Sequence, residues 1–301
     1  MKKIIAAVLA GLLVTGFAFA KDIKVKVGVC GSKNDTWKAV QYVLDQQKAG
    51  IKLEIVEFSA YNLPNEALNN KDIDINSFQH IAYLNNDIKN NGYKITPIGE
   101  TVISPLTLYS YKYKTLAALK NGVGKNGTAT AKKGAFKIAI PSDGTNLSRG
   151  IKLLEAAGLI EVRKEAGYSP ELRDITKFIY NIEVVPQAAN TLVRLLDDYG
   201  AAAINGTYAI SAGFLPSKDG LYIEEKGNNG DNPYVNVIVA RTEDKDNPVY
   251  KKIVEAYQSQ LVTEYYLTKN KEASFPVYPY KPFTQEEGEK VVKFIDKNVK
   301  W

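Results

Sequence analysis

The chain has 301 residues, 39 lysines and arginines against 33 acidic residues, a formal charge of +6, one histidine and one cysteine. One thiol excludes an intrachain disulfide, and one imidazole with one thiol excludes a zinc or iron site built from nitrogen and sulfur ligands. The basic residues are interspersed, with no stripe of lysines and aromatics of the kind that binds nucleic acid.

The opening "MKKIIAAVLAGLLVTGFAFA" sets Lys2 and Lys3 before an apolar run from Ile4 to Phe17 and ends on Ala18-Phe19-Ala20. This is the pattern of a secretory signal peptide cut after Ala20, and the run falls short of the ~20 residues a spanning helix needs. "IKVKVGV" (Ile23 to Val29) alternates and predicts a strand, with Cys30 as a small buried residue at its end. "NDTWKAVQYVLDQQKAG" places Trp37, Val40 and Leu44 on one helical face with Gly50 as the stop, and "IKLEIVEF" (Ile51 to Phe58) is a second strand. Strand, helix and strand in succession form a βαβ unit, which builds a parallel sheet with helices on its faces. "LPNEALNNKDIDINSF" gives a short helix and a short strand, and "IAYLNNDIKNNG" spaces Ile81, Leu84 and Ile88 as a helix ending near Gly92.

After "YKITPIGETVI" the pattern restarts. "PLTLYSY" and "FKIAIPS" predict strands, and "YSYKYKT" (Tyr109 to Thr115) reads as an amphipathic strand with solvated lysines. "TNLSRGIKLLEAAGLI" is a helix with Leu147, Ile151 and Leu154 on its apolar face and Gly158 as its stop. "NIEVVP", "AANTLVRLLDD" and "AAAI" continue this second α/β series to Tyr208, and "VNVIVART" (Val235 to Thr242) is a late strand. Two helices close the chain, the last being "EEGEKVVKFIDKNV". The two α/β series suggest two lobes, and ligands of such folds sit beyond the carboxyl ends of the strands. Asn76 to His80 follow "DIDI", Ser142 to Arg149 follow "KIAIP", Asn205 follows "AAAI", and Asn236 lies near the start of the late strand. These segments deliver amides, one arginine and aromatics, with no carboxylate pair and no nucleophile–base pair.

"YNLPNEALNNKDIDINSFQHIAYL", "NNGYKI", "PSDGTNLSRG", "INGTYA" and "PYVNVIV", in this order, resemble the NlpA/MetQ family, the methionine-binding periplasmic proteins of ABC importers. The resemblance runs from Ile23 to Gln258. It implies an α/β, two-lobed type II periplasmic-binding-protein fold, with a mixed, mainly parallel sheet in each lobe and a ligand cleft between them. Lobe I would comprise residues 21–105 plus 235–301, and lobe II residues 106–234. It implies a monomeric binding protein rather than an enzyme, with no cofactor, whose partners are a small-molecule ligand, an ABC permease and its ATPase. The family is usually lipid-anchored. Here charged residues precede Cys30 where an apolar lipobox belongs, which implies a soluble periplasmic form after cleavage near Ala20. The stretch beyond Ser259 is longer than the family pattern and reads as an extra helix packed on the first lobe.

For an amino-acid ligand, Arg149 offers a planar fork to the carboxylate, near the start of a helix whose free N–H groups also favour an anion. Taken alone, Arg149 reads as a surface arginine paired with Asp143. Asn146, Asn205 and Asn236 each carry a donor and an acceptor and together can satisfy an ammonium and a carboxylate. Singly, each reads as a turn, cap or strand residue. Tyr61, Phe78 and Tyr83 would wall the side chain, since aromatic rings suit a thioether, where core packing is the alternative. His80 would cover the apolar ligand chain and donate one hydrogen bond; a general base would need a nucleophile beside it. Three other occupations of the same cleft remain open: a methionine-containing dipeptide or another apolar amino acid, an exported enzyme on this scaffold, and a sensory module that presents its ligand to a signalling partner.

Overall fold

The computed structural model describes residues 22–225, 232–270 and 273–299, so the signal peptide read at residues 1–20 lies outside the described residues. β1 (Ile23–Cys30), α1 (Thr36–Gln46) and β2 (Ile51–Phe58) form the expected βαβ unit, with β1 parallel to β2 along its length. Trp37, Val40 and Leu44 are buried against Val25, Val27 and Val29. The helix stops at Gln46, short of Gly50: Lys48 takes a φ of 50°, and Ala49 N–H bonds Leu44 O at 3.0 Å. Gly50 instead turns the chain into β2, at a φ of 65° that glycine adopts without steric cost.

α2 (Pro64–Asn69) leads into β3 (Ile75–His80) and then α3 (Ile81–Asn91), which ends on left-handed Gly92 as its spacing predicts. Asn76 to His80 therefore lie inside the strand rather than after it, because a later strand pairs with β3 as far as His80. β4 (Ile95–Ile103) occupies "YKITPIGETVI", where no element was expected. Pro97 and Gly99 break its alternation, and its pairing slips between them.

The chain then crosses to the second lobe. It forms β5 (Thr107–Tyr109), α4 (Leu116–Val123), β6 (Lys125–Thr128), β7 (Phe136–Pro141) and α5 (Gly144–Ala156). β8 (Ile160–Val162), β9 (Ile175–Tyr180), β10 (Ile182–Gln187), α6 (Leu196–Tyr199), β11 (Ala201–Ile204), α7 (Gly206–Ser211), α8 (Pro216–Asp219) and β12 (Gly220–Ile223) follow. "YSYKYKT" is not a strand: Ser110 Oγ donates to Gly200 O and accepts from the N–H groups of Lys112 and Tyr113, which ends the ladder after Tyr109. "AANTLVRLLDD" splits into a 3-10 turn at Ala189–Thr191 and the one-turn helix α6.

The chain returns as β13 (Val235–Arg241), and three helices follow rather than two: α9 (Pro248–Tyr257), α10 (Gln260–Asn270), then β14 (Phe275–Pro276) and α11 (Gln285–Asn298). A break at Gln258 and Ser259 separates the first two. α11 packs on the first lobe, where Phe294 meets Tyr42 at 5.4 Å between ring centres and Tyr265 donates to Asp296 at 2.7 Å.

The first sheet has the order β14-β4-β13-β3-β1-β2 and the second β10-β7-β11-β5-β12, with β6-β9-β8 as a small antiparallel sheet beside it. Both large sheets are mixed. Parallel pairing joins β1 to β2 and β3, and β7 to β10 and β11. The returning β13 and the short β5 add antiparallel ladders, a larger share than the βαβ pattern implies. Each lobe has its own core: Val27, Ile75, Ile238 and Ile253 lie in one, Ile138, Ile140, Ile151 and Leu154 in the other.

Candidate functional site

β3 and α3 meet at His80, which ends the strand and caps the helix. Its Nδ1 accepts the Tyr83 backbone N–H at 3.0 Å. That bond fixes the tautomer: the proton sits on Nε2, which donates across the cleft to Asn146 Oδ1 at 3.2 Å. Burial, aided by the positive charge of Arg149, pushes the His80 pKa down to about 3, so the ring is neutral at physiological pH. Behind it Asn65, Asn76 and Gln79 bond one another at 2.6–3.1 Å, which locks this stretch of β3 in place. The amides around the histidine thus hold the strand that presents it.

Tyr61, Phe78 and Tyr83 form a mutual cluster with ring centres 5.8–6.0 Å apart, and Tyr208 of the second lobe adds a fourth ring 4.8 Å from Tyr61. Phe78 and Tyr83 are buried and Tyr61 half-buried.

β7 ends at Pro141, and α5 begins after Asp143, whose carboxylate caps the helix by accepting the Asn146 N–H. The same oxygen accepts Asn146 Nδ2 at 2.9 Å, leaving Asn146 Oδ1 facing the cleft. Asn205 stands at the start of α7, yet its side chain does not cap that helix. It turns inward, donates Nδ2 to Asn146 Oδ1 at 3.0 Å, and leaves its buried Oδ1 with no hydrogen-bond partner among the described residues. Asn236, on β13, donates to Val102 O and Tyr234 O, so its carbonyl oxygen is the group left for a ligand.

Arg149 departs from expectation. It is not a surface residue paired with Asp143: it is 3% exposed and paired with Glu224. Nε donates to Glu224 Oε1 at 2.7 Å and Nη2 to Oε2 at 2.5 Å, with a further bond from Nη2 to Ser104 O at 2.9 Å. The forked edge expected to face the ligand carboxylate is occupied, and the Nη1 edge is the one left without an acceptor among the described residues. Glu224 also accepts the Leu106 N–H at 3.0 Å, so this ion pair ties together the two stretches where the chain crosses between lobes. Tyr234 lies over the guanidinium at 4.2 Å and against His80 at 5.2 Å.

All eight residues singled out from the sequence, Tyr61, Phe78, His80, Tyr83, Asn146, Arg149, Asn205 and Asn236, line one cavity between the lobes. Sequence reasoning missed Glu224, Tyr234, Tyr208 and Ser104. Tyr234 lies inside the quoted "PYVNVIV" and Tyr208 inside "INGTYA", whereas Glu224 in "YIEEKG" has no local pattern to mark it. Chemically, the cavity offers carbonyl oxygens from Asn205 and Asn236 to a cation, guanidinium hydrogens to an anion, and aromatic rings to an apolar chain.

The chain matches the NlpA lipoprotein family over residues 25–278. It is 40% identical over 242 residues to the D-methionine-binding lipoprotein MetQ of Salmonella typhimurium, covering 80% of this chain and 83% of that one. A nutrient binding protein from Burkholderia cenocepacia solved with methionine bound is 36% identical, with a TM-score of 0.74, over 84% of this chain and all of that chain. The substrate binding protein of a methionine transporter from Streptococcus pneumoniae is 30% identical, with a TM-score of 0.73, over 85% and 96%. The fold is the two-lobed periplasmic-binding type that these neighbours share.

Proposed function

The chain belongs to the NlpA lipoprotein family, and we propose that it is the substrate-binding protein of an ABC importer, taking methionine between two closing lobes and delivering it to a membrane permease. The observation that carries this reading is one cavity in which cation-accepting carbonyls, a buried guanidinium, the His80 imidazole and the rings of Tyr61, Phe78 and Tyr83 converge from both lobes. The ammonium bonds the carbonyl oxygens of Asn205 and Asn236, the carboxylate meets the Nη1 edge of Arg149, and the thioether lies among Tyr61, Phe78 and Tyr83 with the His80 ring over the chain. Ligand contacts to both lobes favour the closed state by their differential affinity. Lobe I is residues 21–105 plus 235–301 and lobe II residues 106–234, divisions that fall in the two crossing stretches. The protein performs no chemistry on its ligand and acts as a monomer with the permease and its ATPase as partners.

The relative named above is a lipoprotein, which raises the question of an anchor. Cys30, the only cysteine, lies in a buried strand at 4% exposure, out of reach of acylation in the folded chain. This supports a soluble periplasmic form. A second reading, a methionine-containing dipeptide, draws support from a larger adjoining pocket that shares Phe78, Ser104, Thr207 and Asn236 with the first.

The test is to denature the purified protein, identify any released compound by mass spectrometry, and titrate the refolded protein with L-methionine, D-methionine and methionyl dipeptides by calorimetry. Saturable binding of methionine supports the reading. Absence of binding to every one of these compounds sinks it.

A further inference from the structure

Hydrogen bonds along the cleft run in one direction. The Asp143 carboxylate can only accept, so the Asn146 amide must point its NH2 at it, 2.9 Å away. Asn146 Oδ1 is thereby committed to the cleft, where it receives Asn205 Nδ2 at 3.0 Å. Asn205 in turn must show its carbonyl oxygen to the ligand space, and that oxygen is buried and has no partner among the described residues. An amide reversed at either position would put an N–H where this acceptor stands. His80 imposes the same polarity from the other lobe, since its Nδ1 is occupied by the Tyr83 N–H and its Nε2 donates to the same Asn146 oxygen. That second input exists only while the lobes are together. In the second lobe by itself, Asp143 is the group that sets the order.

We propose that Asp143, which does not line the cavity, is a positioning residue that orients the Asn146 and Asn205 amides so that the site accepts an ammonium and discriminates amino-bearing ligands from analogues lacking the amine. Asp143 acts through two amides and touches no ligand. The inference rests on the methionine-binding reading and adds to it the origin of selectivity for the free amino group.

The probes are methionine and its 2-hydroxy analogue, which keeps the carboxylate and thioether and replaces the ammonium with a hydroxyl. A hydroxyl both donates and accepts, so it is indifferent to which end of Asn205 faces it. Calorimetry on wild-type protein, D143A and D143N gives the ratio of the two affinities. D143A should lower that ratio at least fivefold, mainly by weakening methionine. D143N, whose carbonyl oxygen can accept the same two bonds, should keep the ratio within twofold of wild type. D143G is carried in parallel as a second acceptor-free variant, because glycine at a helix cap costs little stability. An unchanged ratio in D143A or D143G, including the case where both affinities fall together, overturns the positioning role. Wild-type protein that binds neither compound overturns the methionine reading, and this inference with it.

Discussion

His80 Nε2 stands 3.2 Å from Asn146 Oδ1, a hydrogen bond that joins the last residue of β3 in one lobe to the first turn of α5 in the other. Its direction is set by backbone geometry, since the Tyr83 N–H occupies Nδ1. A neutral imidazole here binds and positions without exchanging protons near pH 7.

Acid sensitivity of the fold follows from that neutrality. The folded His80 pKa is pushed down to about 3, first by burial and then by Arg149, against 6.5 in the unfolded chain. Below pH 6.5 the unfolded state takes up a proton that the folded state refuses until near pH 3. Stability from this group is therefore complete above 6.5 and is lost as the pH falls. Urea unfolding of wild type and H80Q should show wild type losing about 2 kcal/mol more than the variant between pH 7 and pH 5. Carboxylates such as Asp143, held above their usual range by burial, act with the opposite sign and cancel in the comparison. Parallel pH dependence in the two proteins would contradict the assignment.

Breaking the Arg149–Glu224 pair should weaken both the fold and the site. E224A strands a guanidinium that is 3% exposed and releases the Leu106 N–H. Removing one partner of such a buried pair costs about 3 kcal/mol, and the loss of orientation at Arg149 should lower methionine affinity more than tenfold. E224Q, which keeps one carbonyl acceptor, should lie between E224A and wild type. Urea unfolding and calorimetry read the two effects, and an E224A protein of wild-type stability and affinity would remove the pair from this role.

Gly31, just after β1, packs against α7 of the other lobe. Its φ is +80°, and a Cβ there would lie 2.7 Å from Ser211 Oγ and 3.0 Å from Thr207 Cγ2 on α7. Two separate effects are expected of G31A. The left-handed backbone costs about 1–2 kcal/mol of stability in any lobe arrangement. The contact with α7 opposes closure alone and should weaken ligand binding by roughly tenfold. Adding S211G removes the 2.7 Å contact together with the bond from the Ser32 N–H to Ser211 Oγ at 3.2 Å, so it should recover part of the affinity and none of the stability. Calorimetry and thermal melting on the single and double variants separate the two; equal recovery of both would contradict the closure argument.

Cys30 should behave as an inert core thiol. Burial pushes its pKa up to about 12, and Sγ faces Ala60 O at 3.7 Å. A thiol kept protonated and out of solvent does not react. Native protein treated with iodoacetamide at pH 8 should gain no mass, while protein in denaturant should gain one adduct. Rapid labelling of the native protein would show that β1 opens.

Much of the framework was legible in short patterns. Alternation in "IKVKVGV", the spacing of Trp37, Val40 and Leu44, and the glycine after "IAYLNNDIKNN" each report a local backbone preference, and each produced the expected element. Where a single residue interrupts a pattern, legibility failed: Pro97 and Gly99 hid β4, and Ser110 turned an apparent strand into a bend by bonding Gly200 and its own following N–H groups. The eight site residues could be named because their segments resemble the NlpA/MetQ family and fall near strand ends; taken singly, each reads as a surface, cap, turn, strand or core residue.

What the sequence by itself determined is the alphabet of the site: three asparagines, one arginine, one histidine and a set of rings, delivered by separate segments. Only the tertiary structure decided their polarity. Glu224 claims one edge of Arg149 from 75 residues away, Asp143 dictates which end of the Asn146 and Asn205 amides faces the cleft, Val102 O and Tyr234 O do so for Asn236, and the Tyr83 N–H selects the nitrogen of His80. The reason is physical. Side-chain identity and periodicity are local properties of the chain, whereas the direction of a hydrogen bond depends on the partner at its other end, and folding alone brings that partner into reach.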